Sequence, residues 1–261
     1  MDLDLLGKVV MITGGSKGIG YACAAAFASE GARIALVSRS KTNLATAASK
    51  LEARGHEAYC VRADLSRRDA GERIVAEVEH ALGTVDVLVN SAGAAKRYAP
   101  EEIDVSAWHD AMDAKYFTYI HAIQAVLPGM VSRGRGVIIN IIGGGGKVAG
   151  PVHLPGGAAN AALMLVTTGL ANVYGRKGVR VNAINPGLTL TGRVEEGIAA
   201  ESRRSGVPPV ELLARGTERI PLGRYATPEE IANVAVFLAS HQASYVTGAI
   251  VPMDGGANPI I

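Results

Sequence analysis

Hydrophobic and polar positions along the chain follow two periods. Short apolar runs rich in β-branched residues predict buried strands, and the longer segments between them carry apolar residues at helical spacing. The predicted strands cover residues 9–13, 33–38, 57–62, 85–90, 137–142, 179–185 and 249–252. Because strands and helices alternate, right-handed crossovers should place helices on both faces of one parallel sheet. The pattern predicts a doubly wound α/β fold of about seven parallel strands, with its ligand beyond their carboxyl ends.

No linker or internal repeat divides the chain, so we expect a single domain over residues 1–261. The last helix has a well-marked start, because Thr227 has the features of an N-cap, Pro228 suits the first helical position and Glu230 suits a capping box. Just before it, residues 192–221 form a charged segment that we expect to be irregular. We interpret this segment as a mobile flap over a substrate pocket.

Composition and charge narrow the range of partners. The chain is 48% hydrophobic and 19% charged, has a formal net charge of +2 and contains no run of like charges. Such a chain can close one large core and has no strong field to attract nucleic acid or an anionic membrane. Residues 1–8 lack signal-peptide features, and we expect no segment to span a membrane. Small molecules are therefore the expected partners.

The two cysteines also bear on the setting of the protein. Cys23 falls in an apolar helix pattern and Cys60 in a strand pattern, and neither belongs to a metal-ligand spacing. We expect reduced thiols, a cytoplasmic location and no metal.

A glycine-rich turn joins the first predicted strand to an alanine-rich helix. It reads Thr13-Gly14-Gly15-Ser16-Lys17-Gly18-Ile19-Gly20. Glycines permit the tight turn and let backbone N–H groups approach a pyrophosphate, whose charge the helix N-terminus stabilises. A plain turn without a ligand is the alternative, but the strand before it and the helix after it favour the dinucleotide site of a Rossmann domain.

This turn resembles the T-G-x-x-x-G-x-G pattern of the short-chain dehydrogenase/reductase family. The resemblance extends over nearly the whole chain, since Asn90-Ser91-Ala92-Gly93 is similar to the family's N-N-A-G and Asn185-Pro186-Gly187 begins a segment similar to its P-G-x-x-x-T. In the family two long helices, here predicted at 105–131 and 158–174, pack against another subunit. The resemblance implies a homodimer or homotetramer, although burial of these helices within one subunit is the alternative.

The end of the second predicted strand bears on the choice of dinucleotide. An acidic residue there accepts hydrogen bonds from the adenosine ribose, whereas a cation neutralises a 2′-phosphate. Arg39 and Lys17 supply cations and no acid is present, which favours NADP(H), although both could be ordinary surface charges. The residues expected to bind NADP(H) are Gly14, Ser16, Lys17, Gly18, Ile19, Gly20, Ser38, Arg39, Asp64, Leu65, Asn90, Ala92, Gly93, Asn160, Pro186, Gly187, Thr189 and Thr191.

The family's catalytic residues are an Asn, a Ser, a Tyr and a Lys, and the resemblance locates all four positions in this chain. With Trp108 and Asn140 as anchors, they fall on Lys115, Gly143, Gly156 and Asn160, respectively. Residues 148–173 contain no Tyr, Lys or Ser, which also excludes the wider Tyr–Lys spacing of the enoyl-reductase branch. The resemblance therefore implies a divergent member with a degenerate active site that lacks the usual tetrad and its proton donor.

Two residues are candidates to replace the missing groups. Lys115 could restore a positive charge from the opposite helix, but it could equally extend to solvent or pair with Asp110 or Asp113. His153 is the only titratable side chain near Gly156 and could exchange a proton near neutral pH, although a loop histidine is more often simply exposed.

Two functions follow from these expectations. The first is an NADP(H)-dependent oxidoreductase in which water, Lys115 or His153 supplies the proton, acting on an unknown small molecule. A polarised alkene, an imine or an activated carbonyl would demand least of the proton donor. The second is a non-catalytic NADP(H)-binding protein that acts as a redox sensor or as an inactive subunit. Non-redox lyase or isomerase chemistry ranks last, because it requires a base that only His153 could provide.

Overall fold

The computed structural model describes residues 2–93, 95–98, 100–150 and 152–259, with the backbone alone at positions 193, 196, 197, 200 and 204. Over these residues one sheet of seven strands forms, and all of its neighbouring strands are parallel. The strands are β1 (Val9–Thr13), β2 (Arg33–Ser38), β3 (Ala58–Arg62), β4 (Val87–Asn90), β5 (Gly136–Ile141), β6 (Val179–Pro186) and β7 (Ile250–Met253). The predicted bounds therefore agree with the observed ones to within two residues at each end.

The order across the sheet is β3-β2-β1-β4-β5-β6-β7. The direction of winding reverses between β1 and β4, and in a doubly wound sheet this switch point opens a crevice at the carboxyl ends of the strands. The prediction of a doubly wound α/β fold is confirmed.

Helices cover both faces of the sheet. The helices are α1 (Gly18–Ser29), α2 (Lys41–Glu52), α3 (Ala70–Leu82), α4 (Val105–Ala111), α5 (Thr118–Ser132), α6 (Leu154–Tyr174), α7 (Gly192–Ser205), α8 (Pro209–Thr217) and α9 (Pro228–Ala239). One core cluster joins the sheet to α1, α2 and α9, and another joins it to α3, α5 and α6. The central strands are buried on both sides, which explains why their sequences are apolar throughout.

Two predicted elements differ from the structure. The long helix expected at 105–131 is interrupted by a π-helical segment, Met112–Phe117, between α4 and α5. Residues 192–221 were expected to be irregular, but they contain the helices α7 and α8. The start of α9 is as expected, since Thr227 and Glu230 form a capping box.

The expectation that no segment could span a membrane needs correction. The stretch Leu154–Lys177, which contains α6, is long and apolar enough to do so by length and composition, with a mean hydropathy of 1.3. Half of its most apolar window is buried inside the fold, however, and α6 packs against β6 and the preceding loop. The core helix of a globular domain has these same features, because it needs apolar side chains on more than one face.

Candidate functional site

A wide cleft lies at the carboxyl ends of β1, β4, β5 and β6 and has a volume of about 840 Å³. It coincides with the switch point of the sheet, where the fold places a ligand. Of the residues predicted for the site, the cleft is lined by Ser16, Lys17, Gly18, Ile19, Gly93, Lys115, Gly143, Pro186, Gly187, Thr189 and Thr191.

The glycine turn brings backbone to the floor of this cleft. Gly14 has a φ of +68°, and a Cβ on it would come within 2.8 Å of the backbone of Ala92. A Cβ on Gly20 would collide with the carbonyl oxygen of Gly14. Lys17 is the N-cap of α1 and makes no side-chain capping hydrogen bond, so the first N–H groups of the helix remain available to an anion. This cradle fits the pyrophosphate of a dinucleotide.

The end of β2 lies against the glycine turn. The hydroxyl of Ser16 donates to the Ser38 hydroxyl at 3.0 Å, and Arg39 follows with an exposed side chain. The positive charge of Arg39 is close enough to the carboxyl group of Asp64 to affect its pKa. Burial acts to raise the pKa of Asp64, but hydrogen bonds from Ser66 and the charges of Arg39 and Arg67 outweigh it and lower that pKa. Polar and cationic groups therefore meet where a 2′-phosphate would be recognised.

Two of the predicted cofactor residues, Asn90 and Leu65, make hydrogen bonds within the fold. The side chain of Asn90 is fully buried, accepts from the Thr13 hydroxyl at 3.1 Å and donates to Asn140 at 3.1 Å. Asn140 in turn donates to the hydroxyl of Thr167, so one chain of hydrogen bonds crosses β1, β4, β5 and α6. Leu65 is also buried, and its carbonyl oxygen is hydrogen-bonded to the ring of His121.

Lys115 lies in the π-helical segment and is turned towards the end of β5. Its ammonium group donates to the hydroxyl of Tyr119 at 2.8 Å and to the carbonyl oxygen of Ile141 at 3.1 Å. Tyr119 is fully buried and also donates to the Ile141 carbonyl, at 2.6 Å. The alternative that Lys115 extends to solvent is therefore wrong, because these contacts hold its positive charge at the wall of the cleft.

His153 is the residue just before α6, and its ring fills the space beside Gly156. A Cβ on Gly156 would collide with Cε1 of the His153 imidazole and would come within 2.6 Å of its Nε2. The Nδ1 atom is buried and has no hydrogen-bond partner within the described part of the chain. Burial is the main cause of the lowered pKa of His153, and the charges of Arg97 and Lys115 lower it further. The imidazole is therefore half-buried, not simply exposed, and favours its neutral form.

Asn160 and Gly143 face one another across the loop after β5. Asn160 is only 4% exposed, and its Oδ1 has no hydrogen-bond partner among the described residues. A Cβ on Gly143 would lie 3.2 Å from the Nδ2 of Asn160. The glycine loop itself is ordered as a 3-10 turn, Gly144–Gly146, packed directly on α6. The side chain of Asn160 thus presents a free acceptor oxygen in a buried place next to the cleft.

Sequence reasoning missed several residues of this cleft. They include Tyr21, Asn43 and Lys50 beside the glycine turn and Arg97 in the loop after β4. The first three are on α1 and α2, where helical spacing alone gives no sign that they face a ligand. Arg97 is in a loop whose path depends on tertiary contacts, so no motif marked it.

Comparison with known proteins places this geometry in a family. Residues 14–258 match the family model described as enoyl-(acyl carrier protein) reductase. The chain is 34% identical to gluconate 5-dehydrogenase of Gluconobacter oxydans, over 97% of this chain and 95% of that protein. It is 35% identical to 2-(S)-hydroxypropyl-CoM dehydrogenase 3 of Xanthobacter autotrophicus, over 100% of both chains.

Solved structures agree with these matches. The crystal structure of L-sorbose reductase from Gluconobacter frateurii, complexed with NADPH and L-sorbose, covers 100% of both chains with a TM-score of 0.95 and 32% identity. A variant of actinorhodin polyketide ketoreductase with NADPH covers 96% of this chain and 97% of its own, with a TM-score of 0.91 and 31% identity. The chain therefore belongs to the short-chain dehydrogenase/reductase family.

Proposed function

We propose that this protein is an NADP(H)-dependent oxidoreductase of small molecules in which His153 exchanges the proton and Lys115 supplies the positive charge. The observation that carries the proposal is the position of the His153 ring, which occupies the space beside Gly156. By the family register Gly156 stands where the catalytic Tyr would be. A titratable group from a neighbouring residue therefore fills the place that the missing side chain would take.

NADP(H) fits the cleft on its own geometry. The open N-terminus of α1 and the close approach of Gly14 to Ala92 suit a pyrophosphate. Arg39 and Lys17 suit a 2′-phosphate, which an arginine fork and an ammonium recognise better than a bare hydroxyl. The two structural relatives described above are NADPH complexes, in agreement with this assignment.

The proposal includes a departure from the usual tetrad, which the residues at its four positions support. Lys115 takes the Asn position, and its ammonium lies against the Ile141 carbonyl at the end of β5. Gly143 and Gly156 bring no side chain at the Ser and Tyr positions. Asn160 takes the Lys position with a buried oxygen that has no hydrogen-bond partner among the described residues, which suits a hydroxyl donor such as a ribose. The charged and hydrogen-bonding groups at these four positions thus differ from those of the usual tetrad.

The proposed chemistry is the reversible reduction of a carbonyl group to an alcohol. When bound, the nicotinamide supplies or takes up the hydride. In reduction, protonated His153 gives its proton to the substrate oxygen, and in oxidation the neutral ring takes that proton back. The Lys115 ammonium stabilises negative charge that develops on the oxygen. Burial and nearby cations favour neutral His153, so the arrangement is best suited to accepting a proton at neutral pH.

Two further parts of the proposal concern assembly and access. The outer faces of α4 and α6 expose Val105, Trp108, Leu165 and Val173, which suits packing against a second subunit in a homodimer or homotetramer. Residues 192–221 begin at the wall of the cleft with Gly192 and Val194, which suits a flap over the substrate. Light scattering tests the assembly, and a monomer at working concentrations would contradict it.

Turnover is tested by following NADPH absorbance with a panel of activated carbonyl compounds, imines and polarised alkenes. We expect consumption of NADPH with at least one class. Substitution His153→Asn should lower kcat roughly 100-fold or more, the usual contribution of a general acid or base, with unchanged NADPH affinity. Tight binding of NADPH with no turnover of any compound would instead favour the non-catalytic alternative.

A further inference from the structure

We propose that the substrate carries a carboxylate and that Arg97 binds it, which rests on the proposed function of the same cleft. The proposal arises from the distribution of charge along the cleft wall. Four lining residues are cations, namely Lys17, Lys50, Arg97 and Lys115, and no described lining residue is Asp or Glu. A cleft with one sign of charge selects ligands of the opposite sign.

The four cations fall into two separate pairs. Lys17 is the N-cap of α1. The ammonium group of Lys50, on α2, lies over the ring of Tyr21, on α1, at 5.8 Å from the ring centre. This pair is next to the glycine turn, where the phosphates of NADP(H) would be bound. Arg97 and Lys115 are at the other end, and both are close enough to His153 to lower its pKa. The second pair therefore has no cofactor phosphate to neutralise.

The backbone holds Arg97 beside the proposed proton-exchanging group. The N–H of Tyr98 donates to the carbonyl oxygen of Val152 at 3.1 Å, so the residues next to Arg97 and His153 are tied together. The methyl group of Ala95 also packs at this point, since a Cβ on Gly156 would lie 2.8 Å from it. The Arg97 side chain is exposed at the cleft and forms no salt bridge with any described residue.

An arginine in this position suits a carboxylate in particular. The guanidinium presents N–H donors in a planar fork that matches the two oxygens of a carboxylate. A carboxylate bound at Arg97 would also neutralise part of the positive charge that acts on His153. His153 would then gain a proton more readily when substrate is present, which is the state that reduction needs. The substrate class is accordingly a small keto acid or the corresponding hydroxy acid.

The first experiment measures binding without turnover. Calorimetric titration of the NADP⁺-loaded protein compares two acids, oxamate and succinamate, with their neutral analogues, oxamide and succinamide. We expect at least one acid to bind roughly 10- to 100-fold more tightly than its analogue, the range of a charge-assisted hydrogen-bonded contact. Equal binding of acids and diamides would overturn the proposal.

Matched variants then test whether Arg97 itself is responsible. Arg97→Gln should remove the preference for the acid and leave diamide binding unchanged, whereas Lys96→Gln should alter acid binding less than about twofold. Lys96 is the neighbouring exposed cation and does not line the cleft, so it controls for net charge. Equal losses in both variants would show a diffuse field and overturn the proposal. Matching melting temperatures exclude misfolding as the cause.

Turnover with matched substrates separates this proposal from the proposed function. NADPH consumption is followed with pyruvate and acetoacetate and with their methyl esters. Faster turnover of the acids, lost in Arg97→Gln, supports both proposals. Turnover of the esters alone keeps the oxidoreductase function and overturns the carboxylate site. Acid binding through Arg97 without turnover of any compound keeps the carboxylate site and counts against the oxidoreductase function.

Discussion

The fit between Gly156 and His153 gives the sharpest prediction. Substitution Gly156→Ala adds a methyl group that would collide with Cε1 of the imidazole and come within 2.6 Å of Nε2 and 2.8 Å of the Ala95 methyl. Carbon atoms in folded proteins do not approach this closely, so the ring must move. The side chain of a residue that precedes the helix can turn outwards with less disturbance than the helix backbone can shift. We therefore expect His153 to move into solvent.

The pKa of His153 reports that movement. In the native protein burial lowers the pKa of His153 from its usual value, and the charges of Arg97 and Lys115 add to the effect. Exposure of the ring removes the desolvation and weakens the charge effects, so the pKa should rise towards that of an unperturbed histidine. If His153 exchanges the proton, kcat should fall roughly 100-fold or more at the same time. Alanine is favoured over glycine in a helix by roughly 1 kcal/mol, which offsets part of the cost of moving the ring and the Ala95 methyl group.

The assay is a pH titration of the histidine Cε1–H signals by NMR, with His153 assigned by its loss in His153→Asn. Gly150→Ala is the matched control, since a Cβ there meets nothing within 4 Å. The double variant with His153→Asn and Gly156→Ala should be no slower than His153→Asn alone, because both changes remove the same group. An unchanged pKa in Gly156→Ala, or an equal shift in Gly150→Ala, would refute the reasoning.

Three other measurements test neighbouring parts of the structure. Arg39→Asp should weaken NADPH binding roughly 10- to 100-fold and improve NADH binding, measured by fluorescence titration, whereas the exposed Arg54→Asp should do neither. Thr167→Val should cost about 1–3 kcal/mol in urea denaturation because it leaves the buried amide of Asn140 without its acceptor, and the same change at exposed Thr168 should cost far less. The kcat for carbonyl reduction should fall as pH rises through the lowered pKa of His153, and that for alcohol oxidation should rise over the same range; a flat profile in both directions would exclude a titrating histidine.

The sequence pattern predicted the strands, the start of α9 and the glycine turn well, because each depends on residues close together in the sequence. Buried parallel strands need continuous apolar runs, so β1 and β2 were located at their observed bounds. The capping box at Thr227 depends only on residues three apart, and it is present as expected. The glycine turn was recognised for a similar reason, since the tight turn between β1 and α1 leaves no room for side chains at Gly14 and Gly20.

Which side chains line the cleft depends on contacts between distant parts of the chain, so the sequence pattern predicted them less well. Asn90 matched a cofactor motif, but the register of β1, β4 and β5 directs its side chain into a buried hydrogen-bond network. The segment at 192–221 contains two helices, α7 and α8, which its charged and irregular composition did not indicate. Arg97 was missed because the path of its loop depends on tertiary contacts, such as the backbone hydrogen bond between Tyr98 and Val152.

By itself the sequence determined the doubly wound fold, the dinucleotide cradle and the absence of Tyr, Lys and Ser from residues 148–173, since each depends on residue type and short spacing. Only the tertiary structure decided where Lys115 and His153 lie. The turn of a π-helical segment directs Lys115 to the Ile141 carbonyl, and the lack of a side chain at Gly156 leaves space that the His153 ring fills. Both outcomes depend on the packing of one element on another, which no local pattern in the sequence encodes.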